Sequence, residues 1–171
     1  MKYLHSMVLS LMGALLLSCG GSGSSQAAQE ETTATQEVAA EEVAQTISLV
    51  IESNDMMQFN LTKLEVTEGQ TVSLTLKHVG QMSKDAMGHN WVLLVPGTDK
   101  ATFGAAAVSA RETSYIPEDM KDQVIAFTEV VGGGEETTIT FEAPAAGYYD
   151  FICSFPGHYG VMQGSFVVKP K

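Results

Sequence analysis

The stretch "CSFPGHYGVM", residues 153–162, places a cysteine, a histidine and a methionine around a Phe-Pro-Gly sequence. Proline followed by glycine is the order that a type II turn favours, so the loop can fold back on itself. Such a turn would bring the thiol of Cys153, the imidazole of His158 and the thioether of Met162 together. The chain has two cysteines, and the other, Cys19, lies close to its beginning. A cysteine without a disulfide partner is buried, reactive or bound to a metal.

A second histidine, His89, can complete this set. It follows Met87 and Gly88 and begins a nearly continuous apolar run, 89–95, that contains the one tryptophan of the chain. Thiolate and thioether sulfur favour Cu(I), whereas imidazole nitrogen suits both copper states. Two imidazoles, a thiolate and a weak axial methionine are the ligands of blue-copper electron-transfer sites. The pattern predicts one copper ion that cycles between Cu(I) and Cu(II) in an electron carrier that is not an enzyme.

The same donor atoms also fit other functions. A copper-storage or delivery protein would use equally soft ligands but would hand its metal over readily. A structural zinc site takes the same ligands. A thiol hydrolase would need Cys153 paired with a base and with an orienting third group, and the short loop from Cys153 to His158 makes that pairing awkward. The dinuclear copper site of respiratory oxidases needs two cysteines, so the single available cysteine excludes it.

Each candidate ligand also has a purely structural alternative. Cys153 could be a buried thiol, His89 a core histidine bonded to the backbone, and Met162 a side chain that fills a gap. The metal interpretation is favoured because three of the donors share one loop and because His89 lies in an apolar strand upstream.

The beginning of the chain reads as an export signal. Residues 8–17 form an apolar run that is too short to span a bilayer as a helix, and Lys2 precedes it. The sequence Leu16-Leu17-Ser18-Cys19 resembles the lipobox of bacterial lipoproteins, in which the leader is cleaved before the cysteine and that cysteine is acylated. An ordinary secretory peptide followed by an unrelated cysteine is the alternative. We predict a lipoprotein signal peptide over 1–18 and an acylated Cys19.

The segment 19–46 continues as a flexible acidic tether. Its Gly-Ser beginning is followed by Ala, Gln, Thr and Glu, and it carries five acids and no bases. Those acids are Glu30, Glu31, Glu37, Glu41 and Glu42. Such a segment cannot bury enough apolar surface to offset the entropy of ordering. We therefore expect a protein that is lipid-anchored to the membrane in the bacterial periplasm or cell envelope.

The formal net charge of −11 limits the partners of the protein. An acidic chain argues against nucleic-acid binding and against electrostatic docking to anionic lipid. It is compatible with a protein partner that presents a basic or an apolar face.

Residues 47–171 form the predicted domain, and about 125 residues are enough for one hydrophobic core. Short alternating segments separated by turn residues predict an all-β fold, a Greek-key β-sandwich or barrel. In 71–77 the alternation puts Val72, Leu74 and Leu76 on one face. Further strands are predicted at 47–51, 57–59, 63–66, 89–95, 148–153 and 165–169, with 89–95 as a central strand.

Two further segments complete the predicted architecture. Residues 123–131 and 135–142 read as a hairpin around the three glycines 132–134. Residues 99–122 are rich in alanine and charge, and they predict a short helical flap that is inserted outside the sandwich.

Five motifs of the domain occur in the order and at the spacing of a known family. They are Met57-Gln58-Phe59-Asn60, Met87-Gly88-His89-Asn90-Trp91-Val92-Leu93, Val124-Ile125-Ala126, Cys153-Ser154-Phe155-Pro156-Gly157-His158 and Met162-Gln163-Gly164. On these motifs the sequence resembles the azurins, small bacterial blue-copper proteins of the cupredoxin family. The resemblance covers essentially all of residues 47–170. It implies a Greek-key sandwich that carries one copper ion and transfers single electrons.

The resemblance also implies roles for individual residues. His89, Cys153 and His158 would be the equatorial copper ligands. Met162 would be the distant axial ligand, and the backbone carbonyl of Gly88 would approach from the opposite side.

Three more residues would surround these ligands by the same resemblance. Asn90 and Phe155 would tie the two ligand loops together. His78 would be a buried histidine that lies near the copper without binding it.

Partner docking is expected on the surface around His158. There an exposed apolar patch would be rimmed by Met57, Met87, Pro156 and Tyr159, together with Phe155. The family implies c-type cytochromes, other copper proteins, and terminal reductases or oxidases as redox partners, with no small-molecule substrate.

The sequence departs from the azurin pattern in three places. The disulfide that azurins carry near one end of the barrel is missing, and losing such a bridge costs a small secreted domain about 2–5 kcal/mol. Phe127 stands where azurins commonly have a surface histidine. The tether and the expected acylation resemble instead the membrane-attached auracyanins.

Overall fold

The computed structural model describes residues 46–171. The predicted signal peptide 1–18, Cys19 and the tether before Thr46 lie outside the described residues, so those assignments stay predictions. Within 46–171 no helix is long and apolar enough to cross a membrane.

Nine strands form two mixed sheets in the part of the chain that the structure describes. The strands are β1 (Thr46–Asn54), β2 (Gln58–Phe59), β3 (Lys63–Thr67), β4 (Thr71–His78), β5 (Val92–Leu94), β6 (Val124–Phe127), β7 (Glu136–Glu142), β8 (Gly147–Ile152) and β9 (Gln163–Lys169). One sheet has the order β2-β1-β4-β7, and the other has the order β3-β9-β8-β5-β6. β1 pairs in parallel with β4 and β3 with β9, while the other neighbours are antiparallel. The predicted all-β sandwich is confirmed, and the described strands do not close into a barrel.

Alternating burial along the strands builds the core between the two sheets. The three residues of β4 that were predicted to share one face are fully buried. Trp91 is fully buried as well, and its ring centroid lies 5.6 Å from that of Phe151 and 6.0 Å from that of Phe166. An aromatic cluster therefore fills the middle of the sandwich.

The last two strands position the stretch that contains the cysteine. β8 and β9 pair antiparallel, as predicted, with Ile152 opposite Gln163. The loop 153–162 therefore connects two neighbouring strands at one end of the sheet. β9 also pairs with β3, and the register sets Lys63 opposite Ser165.

The predicted strand 89–95 is shorter than expected. Only Val92–Leu94 forms a regular strand, and it lies between β8 and β6 inside the sheet. Before it, the backbone N–H of Trp91 donates to the side-chain oxygen of Thr128, and the backbone N–H of Thr128 donates to the carbonyl of Trp91. Side-chain bonding replaces the regular ladder here, so His89 joins the sheet through an isolated bridge to Val131.

The predicted hairpin of 123–131 with 135–142 is wrong. β6 lies at the edge of the five-stranded sheet, whereas β7 lies at the edge of the four-stranded sheet. The glycines between them do form a turn, in which the backbone N–H of Glu135 donates to the carbonyl of Gly132 at 2.9 Å, but this turn leads from one sheet to the other. Two of these glycines also mark a close approach to another backbone segment. A Cβ added at Gly132 would lie 2.5 Å from the backbone nitrogen of Lys84, and one added at Gly133 would lie 2.5 Å from the carbonyl carbon of Gln81.

Helices are few and lie outside the sandwich. They are α1 (Lys84–Met87), α2 (Lys100–Ala107) and two 3₁₀ helices, Arg111–Thr113 and Glu118–Gln123. All except α1, which was not predicted, belong to the expected flap. The flap packs Phe103 and Ile116 onto the outer face of the five-stranded sheet, against Val92, Leu94 and Ile152.

Candidate metal centre

Three buried donor atoms converge at one end of the sandwich. Sγ of Cys153 lies 3.9 Å from Nδ1 of His89 and 3.6 Å from Nδ1 of His158, and the two nitrogens are 3.2 Å apart. Cys153 and His89 are fully buried, and His158 is 4% exposed. The structure thus brings together three of the predicted ligands from two separate segments of the chain.

This triangle of donor atoms fits a small metal ion. A point equidistant from the three atoms lies about 2.1 Å from each, within the roughly 2.0–2.3 Å at which imidazole nitrogen and thiolate sulfur bind a first-row metal. Two such nitrogens and one such sulfur also match the donors that copper prefers. His89, Cys153 and His158 therefore form a candidate metal site.

The β8–β9 loop supplies two of these donors through a tight turn. Gly157 has a φ of +85°, and the backbone N–H of His158 donates to the carbonyl of Phe155 at 3.0 Å, as a type II turn requires. The N–H of Met162 donates to the carbonyl of His158 at 2.8 Å, and the N–H of Cys153 donates to the carbonyl of Met162 at 2.9 Å. The loop is thereby closed on itself. Met162 is fully buried within it, beside Cys153.

A backbone carbonyl sets the orientation of His89. Nε2 of His89 lies 3.0 Å from the carbonyl oxygen of Asn54, at the end of β1. An Nε2–H that donates to this oxygen leaves Nδ1 unprotonated and able to bind a metal, which is the usual arrangement of metal-binding histidines. The role of Asn54 was not predicted, because any residue type can supply a backbone carbonyl.

His78 lies against His89, and its role beside the metal stays a prediction. Its ring packs edge-on to that of His89 with the centroids 4.7 Å apart, and His78 is 2% exposed. Its Nε2 is 3.1 Å from Oδ1 of Asp55, but neither ring nitrogen makes a well-aligned hydrogen bond. Asp55 accepts hydrogen bonds from the backbone N–H groups of Gln81 and Met82, which hold the pKa of its carboxyl below the usual range. His78 thus packs beside the donor triangle and outside it.

Asn90 links the two segments of the chain that carry the candidate ligands, one with His89 and one with Cys153, which we call the ligand segments. Its Oδ1 accepts a hydrogen bond from the backbone N–H of Ser154 at 2.8 Å, and its Nδ2 donates to Oγ of Ser154 at 2.8 Å. Asn90 directly follows His89, and Ser154 directly follows Cys153, so these bonds fix the separation of the two segments. Ser154 was not singled out from the sequence, because serine is common and its hydroxyl has no single chemical use.

Phe155 supports the β8–β9 loop, which we also call the ligand loop, by packing. Its ring centroid lies 4.8 Å from that of His158 and 5.0 Å from that of Tyr115. It also lies against Gly88, where an added Cβ would come within 2.9 Å of the Phe155 ring. The glycine lets the chain before His89 pass close to the β8–β9 loop.

Burial keeps the three donors neutral when no metal is bound. It raises the pKa of the Cys153 thiol to about 12, while hydrogen bonds from the backbone N–H groups of Asn90 and Phe155 act in the opposite direction. Burial also lowers the pKa of His89 and of His158 to about 4. At neutral pH both imidazoles are therefore unprotonated, and the thiol must release its proton when a metal binds.

We expect the metal-free domain to lose stability as the pH falls from about 6.5 to about 4. In this window His89 and His158 take up protons in the unfolded chain but not in the folded one, so protons favour unfolding. Below about pH 4 both histidines take up protons in the folded chain as well, so their contribution to the loss of stability stays constant. Urea unfolding of the metal-free protein across this range measures the effect. His158→Gln removes one of the two imidazoles and should show a smaller fall, whereas equal falls in both proteins would contradict the expectation.

Four of the five residues predicted to rim the docking patch are at least partly exposed, but Phe155 is buried at 8% exposure because its ring packs on Tyr115 and His158. Met57 is 36% exposed, and Met87, Pro156 and Tyr159 each keep part of their side chain at the surface. The ring of Tyr159 also lies against α2, where a Cβ added at Gly104 would come within 2.3 Å of it. Tyr159 therefore links the ligand loop to the flap as well as contributing apolar surface.

Comparisons with known proteins point to the same chemistry. The family described as "Copper binding proteins, plastocyanin/azurin family" matches residues 45–169. The azurin of Achromobacter denitrificans is 40% identical over 119 residues, which cover 67% of this chain and 79% of the relative. Auracyanin-A of Chloroflexus aurantiacus is 35% identical over 164 residues, which cover 95% of this chain and 93% of the relative. The solved structure of auracyanin A, a "blue" copper protein, gives a TM-score of 0.66 at 36% identity and covers 72% of this chain and 99% of that structure.

Proposed function

Because the chain belongs to the plastocyanin/azurin family of copper-binding proteins, we propose that it shuttles single electrons between redox partners at the cell envelope. It is a blue copper protein of the azurin and auracyanin type. Proteins of this family carry electrons and are generally not enzymes.

The observation that carries the proposal is the preformed donor triangle. His89, Cys153 and His158 already hold their donor atoms within bonding distance of one point. These three residues would hold the copper ion, and Met162 and the backbone carbonyl of Gly88 are proposed as further ligands. Bound copper supplies one-electron oxidation and reduction at this point.

The surrounding residues hold the donors in place and keep water out. Cys153 and His89 are fully buried, so solvent does not reach the sulfur or the first imidazole. The Asn54 carbonyl fixes one ring, and the closed β8–β9 loop fixes the other two donors. A site held this firmly changes little when an electron arrives or leaves. His158, at 4% exposure, is the member of the triangle that still reaches the surface, and its ring is the proposed point of electron entry.

A visible absorption spectrum of the purified protein tests the proposal. Cu(II) is added first, then ascorbate, then an oxidant. The expected result is an intense blue band that bleaches on reduction and returns on oxidation, because the Cys153 thiolate bound to copper gives the colour. If no blue band appears, or if copper is released at the first reduction, the electron-carrier function fails. Copper storage or delivery would then be the function of the same ligands.

Redox partners are proposed to dock on the apolar patch formed by Met57, Met87, Pro156 and Tyr159. This proposal is supported by the partial exposure of these side chains. Met87, Pro156 and Tyr159 also lie in the segments that carry the proposed ligands, and Met57 closely follows Asn54, whose carbonyl lies against His89. Contiguous exposed apolar surface commonly marks an interaction site. Suitable partners are c-type cytochromes, other copper proteins, and terminal reductases or oxidases.

Replacing Met87 by glutamate is expected to slow electron exchange with a c-type cytochrome about tenfold, since docking would bury an unpaired carboxylate. The blue band should keep its position and intensity. Stopped-flow mixing at high ionic strength measures the rate, because salt screens the general effect of an added negative charge. Val50→Glu is the matched control, because Val50 lies on β1, is 48% exposed and receives the same charge. Equal rates for the two variants would argue against the patch.

We also propose that the domain is anchored to the membrane through an acylated Cys19 once residues 1–18 are removed. The lipobox-like sequence and the acidic tether of 19–46 support this location in the periplasm or cell envelope. The similarity to auracyanin-A extends over 164 residues and so includes most of this segment. Labelling of cells with a fatty acid tests the anchor. A wild-type protein that stays unlabelled would rule it out, and Cys19→Ala is the negative control.

A further inference from the structure

Two consecutive residues of the flap adopt a left-handed backbone. Ser114 has a φ of 55° and a ψ of 34°, and Tyr115 has a φ of 60°. Residues other than glycine seldom occupy this region, and they stay there only where the surroundings hold them. We call this pair the Ser114–Tyr115 turn. It directly follows the 3₁₀ helix Arg111–Thr113.

The carbonyl groups of the Ser114–Tyr115 turn accept hydrogen bonds from the two ligand segments. Nδ2 of Asn90 donates to the carbonyl of Ser114 at 2.7 Å, and Oγ of Ser154 donates to the carbonyl of Tyr115 at 2.8 Å. Asn90 and Ser154 are also bonded directly to each other and are almost fully buried. Each of them immediately follows a proposed copper ligand in the chain. The turn therefore completes a buried polar network between the two ligand segments.

The Ser114–Tyr115 turn is itself held by three contacts. The backbone N–H of Tyr115 donates to the carbonyl of Ala110 at 2.8 Å. The hydroxyl of Ser114 donates to the carboxylate of Glu129. The ring of Tyr115 packs on that of Phe155, with the centroids 5.0 Å apart. The left-handed conformation is thus fixed from both neighbouring segments and from the ligand loop.

We propose that the Ser114–Tyr115 turn is a positioning element of the metal centre, through which the flap sets the separation of His89 and Cys153. This role rests on the copper ligands proposed above. Asn90 and Ser154 reach across between the ligand segments, and the two carbonyls of the turn satisfy their remaining hydrogen-bond donors. If the carbonyls moved, buried donors would lose their acceptors and the pair would shift to find others. Such a shift would move the cysteine and the histidine relative to each other.

The variants Ser114→Val and Ser114→Gly form a matched pair that tests this role. Both remove the hydroxyl bonded to Glu129, but glycine adopts a φ near 55° readily, whereas β-branched valine does not. In the metal-free protein, exchange of the Ser154 amide hydrogen should be about tenfold faster in the valine variant than in the glycine variant. In the copper-loaded protein, the equilibrium constant for electron exchange with a reference dye should differ about tenfold between them, equivalent to about 59 mV.

A second pair of variants probes the network from the ligand side. Ser154→Ala removes the hydroxyl that donates to the turn, and Ser154→Thr keeps a hydroxyl at that place. The alanine variant should show the same faster amide exchange at position 154 and the same change in the electron-exchange equilibrium as Ser114→Val. The threonine variant should give the wild-type values of both. Ser109→Ala is the matched control, because Ser109 lies in the same flap, is exposed and bonds only to the nearby carbonyl of Ala106.

The turn would be merely structural if Ser114→Val and Ser114→Gly gave the same amide exchange and the same electron-exchange equilibrium. Agreement of Ser154→Ala with Ser154→Thr would lead to the same conclusion. Failure of the wild-type protein to take up copper would instead overturn the proposed function. The amide-exchange comparison needs no copper, so it decides the role of the turn in either case.

Discussion

Replacing Cys153 by serine is expected to abolish the blue absorption band and reversible one-electron exchange. The sulfur of Cys153 completes the donor triangle with His89 and His158. A serine hydroxyl is a hard donor that stays protonated at neutral pH, so it cannot supply the thiolate that binds copper and gives the colour. Visible spectra after addition of Cu(II) and cyclic voltammetry of the same sample measure both losses.

The loss must be separated from a failure to fold. Cys153 is fully buried, so a hydroxyl there costs the metal-free domain about 1–3 kcal/mol if it finds no partner. Cys153→Ala removes the sulfur without adding a buried polar group and is the matched control. Urea unfolding of the three metal-free proteins shows whether each is folded. A folded variant that lacks the sulfur and still turns blue would exclude Cys153 as the ligand.

Replacing Trp91 by alanine is expected to lower the free energy of unfolding of the metal-free domain by about 3–5 kcal/mol. The ring of Trp91 is fully buried and lies 5.6–6.0 Å, centroid to centroid, from three other aromatic rings, those of Phe141, Phe151 and Phe166. Such a loss is a large share of the roughly 5–15 kcal/mol that stabilises a domain of this size. Among residues 46–171 Cys153 is a free thiol, so no disulfide compensates for the cavity.

Trp91→Phe distinguishes loss of volume from loss of a polar contact. The indole nitrogen of Trp91 is buried without a hydrogen-bond partner, so phenylalanine gives up no such bond. We expect this variant to lose only about 1–2 kcal/mol. Denaturant unfolding of wild type and both variants provides the comparison. An alanine variant no less stable than the phenylalanine variant would show that the aromatic cluster does not carry the core.

The sequence pattern predicted most of the sandwich because burial alternates along its strands. The alternation in β4 identified its buried face, and the short loop between β8 and β9 made them neighbours. The prediction of a hairpin at 123–142 failed for a physical reason. Periodicity shows which face of a strand is buried, but it does not show which strand lies beside it, and β6 and β7 belong to different sheets.

The candidate site was predicted where it depends on side chains with distinctive donor atoms, whereas the Ser154 hydroxyl and several backbone carbonyls that support it were missed. Cysteine, histidine and methionine have distinctive donor atoms, so their spacing identified the triangle. The carbonyl groups of Asn54, Ser114 and Tyr115 could not be found in this way, since every residue has one. The close approach of the glycines at 132–133 to the backbone of Gln81 and Lys84 was missed for a similar reason. Glycine occurs both in turns and where two backbones approach closely.

The pairing of β3 with β9 bears on how and when the chain can fold. It joins Lys63 to Ser165 and thereby closes a loop of about 100 residues. Domains dominated by such distant pairings fold in milliseconds to seconds, much more slowly than helical bundles of the same size. Until the last strand is made and docks, β3 has no neighbour, and the loop that carries Cys153 and His158 is tied down at one end only. We therefore expect the sheet and the metal centre to be completed together, late in folding.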